Sequence, residues 1–211
     1  MSAEKRDFDK EAALWDENPG RVKAAKEIAA AIMKNIDVTA DMDVLDFGCG
    51  TGLVSLRLQP FVRSIVGVDS SQGMLDVIRA KIVRMNLSNI DVRHLDTDSH
   101  ELPPARFHLI VTSMTLHHVP DVQPLLVRFH AMLMPGGRLC VADLDCDEGK
   151  FHENNTGVFH YGFDRTSLRE LTAAAGFEDI AFTTATEITK PAHGGATRTF
   201  PVFLMTARKK G

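Results

Sequence analysis

The chain has 211 residues, 44% of them hydrophobic and 25% charged, with a formal charge of −4; these values suit one soluble globular domain with at most a small extension. No apolar run approaches the ~18 residues of a membrane span, and the charged N-terminus is not signal-like. Its one basic cluster, Arg208-Lys209-Lys210, lacks the electrostatic footprint of a nucleic-acid binder. Three cysteines, Cys49, Cys140 and Cys146, make no disulfide framework. With no apolar span and no signal-like N-terminus the expected location is the cytoplasm, and the expected state is a monomer or homodimer.

Residues 1–19 are polar with a helical tendency, Phe8, Ala12 and Trp15 recurring at spacings of four and three. Asn18-Pro19-Gly20 breaks the pattern. An amphipathic helix follows over 21–35, with Val22, Ala25, Ile28, Ala29 and Ile32 on one face. Residues 1–35 therefore read as an N-terminal helical segment ahead of a domain over 36–211.

Val44-Leu45-Asp46-Phe47-Gly48-Cys49-Gly50-Thr51-Gly52 is the most informative stretch. An apolar run ends in an acid, three glycines follow at every second position, and a helical pattern runs over 53–59, stopped at Pro60. That order predicts a buried parallel strand, a tight turn and a helix N-terminus. A dinucleotide-binding turn would space its third glycine one residue further on, where Leu53 stands. Asp46 would also repel a pyrophosphate. A ligand with a cationic end suits the turn better.

Residues 64–69 form a second strand ending in Asp69, where a carboxylate can accept hydrogen bonds from both hydroxyls of a ribose. Ser70 is the expected N-cap of a helix over 72–85. A third strand spans 90–95 and a fourth 107–113, with His108 as a strand-end or capping residue. A helix over 123–134 stops at Pro135-Gly136-Gly137, and a fifth strand spans 138–143. The irregular stretch 143–163 is longer than most connections in a compact domain, a length often associated with function. A helix over 166–175 is capped by Asp164 and stopped by Gly176. Strands over 177–188 and 199–208 close the chain as a hairpin. Nothing has paired metal-ligand spacing, and the adjacent His117 and His118 should point in different directions; no metal site is expected.

The D-x-G-x-G-x-G turn from Asp46 resembles the first motif of class I S-adenosylmethionine-dependent methyltransferases. Asp69, the Leu-x-Pro-Gly-Gly-x-Leu turn from Leu133 and the Leu116-His117-His118 stretch extend the likeness over roughly residues 40–185. The resemblance implies an α/β, Rossmann-like three-layer sandwich: a mostly parallel seven-stranded sheet with a terminal antiparallel hairpin. It also implies methyl transfer from S-adenosylmethionine to a small-molecule acceptor (an O, N or C nucleophile), leaving S-adenosylhomocysteine.

Carried over residue by residue, Asp46 serves the cofactor's ammonium end, directly or through water. The Gly48, Cys49, Gly50 and Gly52 turn takes the methionyl and ribose portions, with Asp69 and Ser70 at the ribose and Met74 against adenine. Asp96 lies near the adenine amino group, with Asp98 as the fallback; the Thr97 N–H lies near the ring nitrogen, and Ser113 lends backbone contacts. Trp15 is the candidate aromatic of an N-terminal lid. Departures are His108 in place of an aspartate, Met134 in place of a lysine, and a longer spacing from Asp96 to Leu102-Pro103. Acceptor-pocket and base candidates are His117, His152, His160 and Tyr161, with Phe163 as wall. The alternatives are a binding protein without turnover and a nicotinamide-dependent oxidoreductase.

Overall fold

The computed structural model describes residues 6–95, 106–191 and 197–211. Helices are α1 (Asp9–Ala12), α2 (Pro19–Asn35), α3 (Ser55–Leu58), α4 (Gln72–Arg84), α5 (Val122–Met132) and α6 (Arg165–Ala174). Strands are β1 (Asp43–Phe47), β2 (Ser64–Asp69), β3 (Ile90–His94), β4 (Phe107–Ser113), β5 (Leu133–Leu144), β6 (Phe177–Pro191) and β7 (Thr197–Lys209). They form one sheet in the order β3-β2-β1-β4-β5-β7-β6. The first five strands run parallel and β7 is antiparallel to both neighbours, as the terminal hairpin requires.

Alternation along the central strands builds two cores. Val44, Leu109, Val111 and Cys140 face a layer that includes Ile28 and Ile32 of α2 and Leu75 and Ile78 of α4. Leu45, Ile110, Leu139 and Val141 face Leu125 and Phe129 of α5 and Leu168 of α6. Successive side chains on a strand point to opposite faces, so apolar runs without polar interruption are what a sheet covered on both sides needs. The result is the expected three-layer sandwich.

Several boundaries move for identifiable reasons. Helix α2 begins at Pro19, not residue 21: the Asn18 side chain accepts from Gly20 N and Arg21 N, and proline occupies the first turn, where its missing N–H costs nothing. The expected cap at Ser70 falls instead on Ser71, whose Oγ accepts from Met74 N at 3.1 Å. Pro60 does not stop α3; it lies within a 3-10 turn, Gln59–Phe61, that continues it. Strand β5 starts at Leu133, and the Pro-Gly-Gly turn is a bulge between the Phe107–Leu133 and Leu109–Arg138 pairs. Asp164 caps α6 as expected, accepting from Ser167 N.

Between β1 and β4 the strand order changes direction, and crevices form at the carboxyl ends of strands on either side of such a point. The Phe47 and Phe129 rings pack edge-to-face beneath it, centroids 5.2 Å apart, with Phe129 fully buried. Phe129→Ala is expected to destabilise the fold by about 3–5 kcal/mol, measured as a lower urea midpoint at an unchanged slope.

Candidate active site at the carboxyl edge of the sheet

The turn after β1 is fastened to β2 by backbone bonds: Gly48 N and Cys49 N both donate to Val68 O, at 2.8 and 3.0 Å. Gly48, Gly50 and Gly52 all have positive φ, yet an added side chain would find open space at only one of them. A Cβ on Gly48 would lie 2.2 Å from Thr115 Oγ1, and one on Gly52 2.4 Å from Ile78 Cδ1. Those two glycines let neighbouring elements close in. A Cβ on Gly50 would meet nothing within 4 Å and would enter the crevice that Gly50 lines.

Two carboxylates frame this turn. Asp46 is 2% exposed, and its carboxylate accepts from the Ser55 hydroxyl. Burial, reinforced by the negative charge of Asp69, pushes its pKa up to about 6 against the Ser55 bond. Asp69 accepts from Gly50 N at 2.7 Å and Ser71 N at 2.9 Å. Burial nonetheless holds its carboxyl above the usual range. Among the described residues the partners of both acids are a hydroxyl and backbone N–H groups, not basic side chains, which leaves their charge without a cationic partner there. Ser70, Met74 and Ser113 also line it. The Cys49 side chain is buried near Gly67, and burial drives its thiol pKa well up. Asp96, Thr97 and Asp98 lie outside the described residues.

At the far end, β4 leads into a 3-10 turn, Leu116–His118. His117 is 1% exposed, and its Nδ1 lies 2.7 Å from Asp143 at the end of β5. The Asp143 carboxylate also accepts from Leu116 N, His117 N and Leu144 N. Burial alone would raise its pKa, but the His117 pair and the backbone donors hold it below the ordinary value. His118 Nδ1 lies 2.7 Å from Gly157 O. The long connection after β5 folds over this turn: Phe159 N and His160 N donate to His117 O. The Asp147 carboxylate accepts from Gly149 N and Phe151 N, which delivers His152 to the crevice.

The other two acceptor-side candidates lie elsewhere. His160 Nε2 contacts Val119 O at 2.9 Å and its ring lies against Phe163, in a separate hollow beside α5 and α6. Phe163 itself is core. Tyr161 is 52% exposed and is not among the crevice-lining residues. His118 stood out only as part of the Leu116-His117-His118 stretch, and Asp143 and the latches of the N-terminal segment carried no signal in the sequence, because each acts through a partner distant in the chain. Asp9 accepts from the Ser71 hydroxyl and Gly73 N, and Asp16 from the Thr51 hydroxyl. These bonds pin residues 8–17 over the crevice, where Phe8 meets His118 edge-on at 5.2 Å and Arg21 stacks on Trp15 at 3.6 Å.

A seven-stranded sheet in this order, with acid-tipped β1 and β2 flanking a glycine turn, is the class I methyltransferase architecture. Residues 44–137 match the model of a methyltransferase domain family. It is 38% identical over 135 residues to an uncharacterized methyltransferase of Schizosaccharomyces pombe, covering 57% of this chain and 48% of that one. It is 31% identical over 128 residues to the ubiquinone biosynthesis O-methyltransferase of Coxiella burnetii, covering 59% and 54%. The chain thus spans about half the length of the curated relatives it matches. Haemonchus contortus phosphoethanolamine N-methyltransferase 2, solved with S-adenosylmethionine, superposes with a TM-score of 0.72 at 17% identity, covering 97% of this chain and 60% of that one. Among the described residues no helix is long and apolar enough to cross a membrane.

The glycines make a direct test. Gly48→Ala should lower stability by more than the ~1–2 kcal/mol of a left-handed alanine, because Thr115 must also move. Gly50→Ala should fold with only that smaller loss and weaken ligand binding in the crevice. Urea unfolding of the two variants measures the difference.

Proposed function

We propose that the chain transfers a methyl group from S-adenosylmethionine to a small-molecule acceptor whose reacting atom sits at the histidine end of the crevice. The observation that carries this reading is the pair of desolvated carboxylates, Asp46 and Asp69, on either side of an open glycine position. A cation relieves that arrangement and a pyrophosphate aggravates it. The bound cofactor supplies a methyl already activated by its positive sulfur, so no side chain need act as nucleophile.

Each group then has a role. Asp46 takes the ammonium end, directly or through water. Asp69 keeps lone pairs for the ribose hydroxyls while its bonds to Gly50 N and Ser71 N hold it in place. Met74, 2% exposed and lining the crevice, packs against adenine; Asp96 and Thr97 read its edge. Ser113 contributes backbone contacts. Residues 6–17 act as a lid, with Phe8 and Trp15 excluding water, and the remaining task is to hold the acceptor in line with the methyl. The acceptor atom meets His117, His118 and His152, and His117 keeps its Nε2 toward it with Asp143 behind. A small acceptor rather than nucleic acid agrees with the net charge of −4, and we place the protein in the cytoplasm as a monomer or homodimer.

Calorimetric titration tests this at two levels. S-Adenosylmethionine should bind at one site per chain and NAD should not; the reverse order would overturn the reading. Asp69→Ala should weaken binding by about 1.5–3 kcal/mol, the range for hydrogen bonds to a charged group. The pH dependence has a definite sign. Asp46 titrates at about 6 in the free protein, and a cationic ligand lowers that value by favouring the carboxylate. Affinity should therefore be full above pH 6 and fall by up to about tenfold per pH unit below it, with the dependence lost in Asp46→Asn. An affinity flat between pH 5 and 8 (roughly one unit below Asp46's pKa to two above) would remove Asp46 from the ligand.

A further inference from the structure

The histidine end of the crevice brings together three imidazoles. The rings of His117 and His118 are 4.2 Å apart in the 3-10 turn, with His152 at 5.1 Å from the first and 5.7 Å from the second. The expectation that adjacent histidines diverge fails here because the turn is neither helix nor strand. One ligand nitrogen from each residue lies within 4.8 Å of the other two. His117 Nε2 and His152 Nε2 are buried with no hydrogen-bond partner among the described residues. A buried polar atom without a partner is costly and calls for an explanation.

The partners of the opposite ring nitrogens fix the tautomers. Asp143 accepts at His117 Nδ1, and the Gly157 carbonyl can only accept at His118 Nδ1. Both Nδ1 atoms therefore carry the proton, and both Nε2 lone pairs are free. A carboxylate or carbonyl behind an imidazole is the arrangement that orients a metal-binding histidine and raises its basicity. At His152 the partner is Arg6 Nη1, 3.2 Å from Nδ1, and a guanidinium only donates. The His152 ring proton thus starts on Nε2. Ligation needs either Nδ1 freed by release of Arg6, or the proton moved to Nδ1 with the same release. Arg6 has an alternative partner already in place, the Glu11 carboxylate.

We propose that His117, His118 and His152 bind one divalent transition-metal ion, of the zinc, iron or cobalt class, with Asp143 and the Gly157 carbonyl orienting two of the rings. Imidazole suits these ions. Bonds of ~2.0–2.1 Å at tetrahedral angles put the nitrogens about 3.4 Å apart, against separations of up to 4.8 Å between one nitrogen of each ring here, so ligation requires the rings to close in. Three protein ligands leave a fourth position, and it faces the crevice that all three rings line. That open position is the pattern of a catalytic ion, not a structural one. If the methyl-transfer reading holds, a hydroxyl acceptor there would lose its proton near neutral pH without a protein base; the ion site itself stands without that reading.

The test uses chelator-treated protein titrated with Co²⁺ alone, then with Zn²⁺. The expected result is one ion per chain, with the visible bands of tetrahedral cobalt that bleach as zinc displaces it. His118→Ala and His152→Ala should each weaken binding by roughly 100-fold or more, and Asp143→Asn by about 10–100-fold, the range for an orienting partner. His160→Ala should leave it unchanged. His118 and His152 are only partly buried, so their variants carry the test if His117→Ala does not fold; thermal unfolding checks each. Absence of saturable binding, or equal affinity in the His118 and His152 variants, would overturn the site. S-Adenosylmethionine titrated into the metal-free protein separates the two proposals: cofactor binding without cobalt binding sinks only the ion, and the converse sinks only the methyl donor.

Discussion

Asp46 and Asp69 sit at the tips of adjacent parallel strands, partly or wholly stripped of water, and their bonded partners are dipoles rather than cations. A desolvated carboxylate is unfavourable unless something positive compensates it. The rest of the crevice depends on that imbalance. The glycine turn holds Asp69 through Gly50 N, the reversal of strand order opens the space between β1 and β4, and the N-terminal segment closes over it through Asp9 and Asp16.

The two ends of the crevice are built differently. At the cofactor end, regular strands and a short turn set each acid by register, so its geometry follows from pleat and hydrogen-bond ladder. At the acceptor end nothing is regular. A 3-10 turn, a buried aspartate and a long connection are held by separate bonds: Asp143 to His117, Gly157 O to His118, and the Asp147 carboxylate to the backbone ahead of His152. Irregular segments tolerate change more readily than strand tips, and an acceptor site built from them can diverge while the cofactor end stays put.

This division explains what could be read from the amino-acid sequence. The acid-tipped strands, the spacing of Gly48, Gly50 and Gly52, and the closing hairpin are local patterns with a single period, and they led directly to the sheet. Boundaries shifted where a side chain competed for a cap, as Asn18 and Ser71 do, where a 3-10 turn carried the chain past Pro60, and where a bulge let β5 start at Leu133. The acceptor end was only half legible. His117 and His152 stood out as candidates, but so did His160 and Tyr161, which lie outside the crevice. Nothing in their spacing separates the two pairs, since the decision rests on contacts such as His117 with Asp143, 26 positions apart. Asp9, Asp16 and Arg6 were invisible for the same reason: a polar segment does not announce which distant groups it will bind.

The proposed selection of a positively charged adenosine ligand by negative charge at two strand tips is decided by diffraction from crystals soaked with S-adenosylmethionine. Density should run along the glycine turn with the amino-acid end at Asp46 and the ribose hydroxyls on Asp69. An empty crevice, or a dinucleotide pyrophosphate seated against Gly50 in parallel soaks, would contradict it.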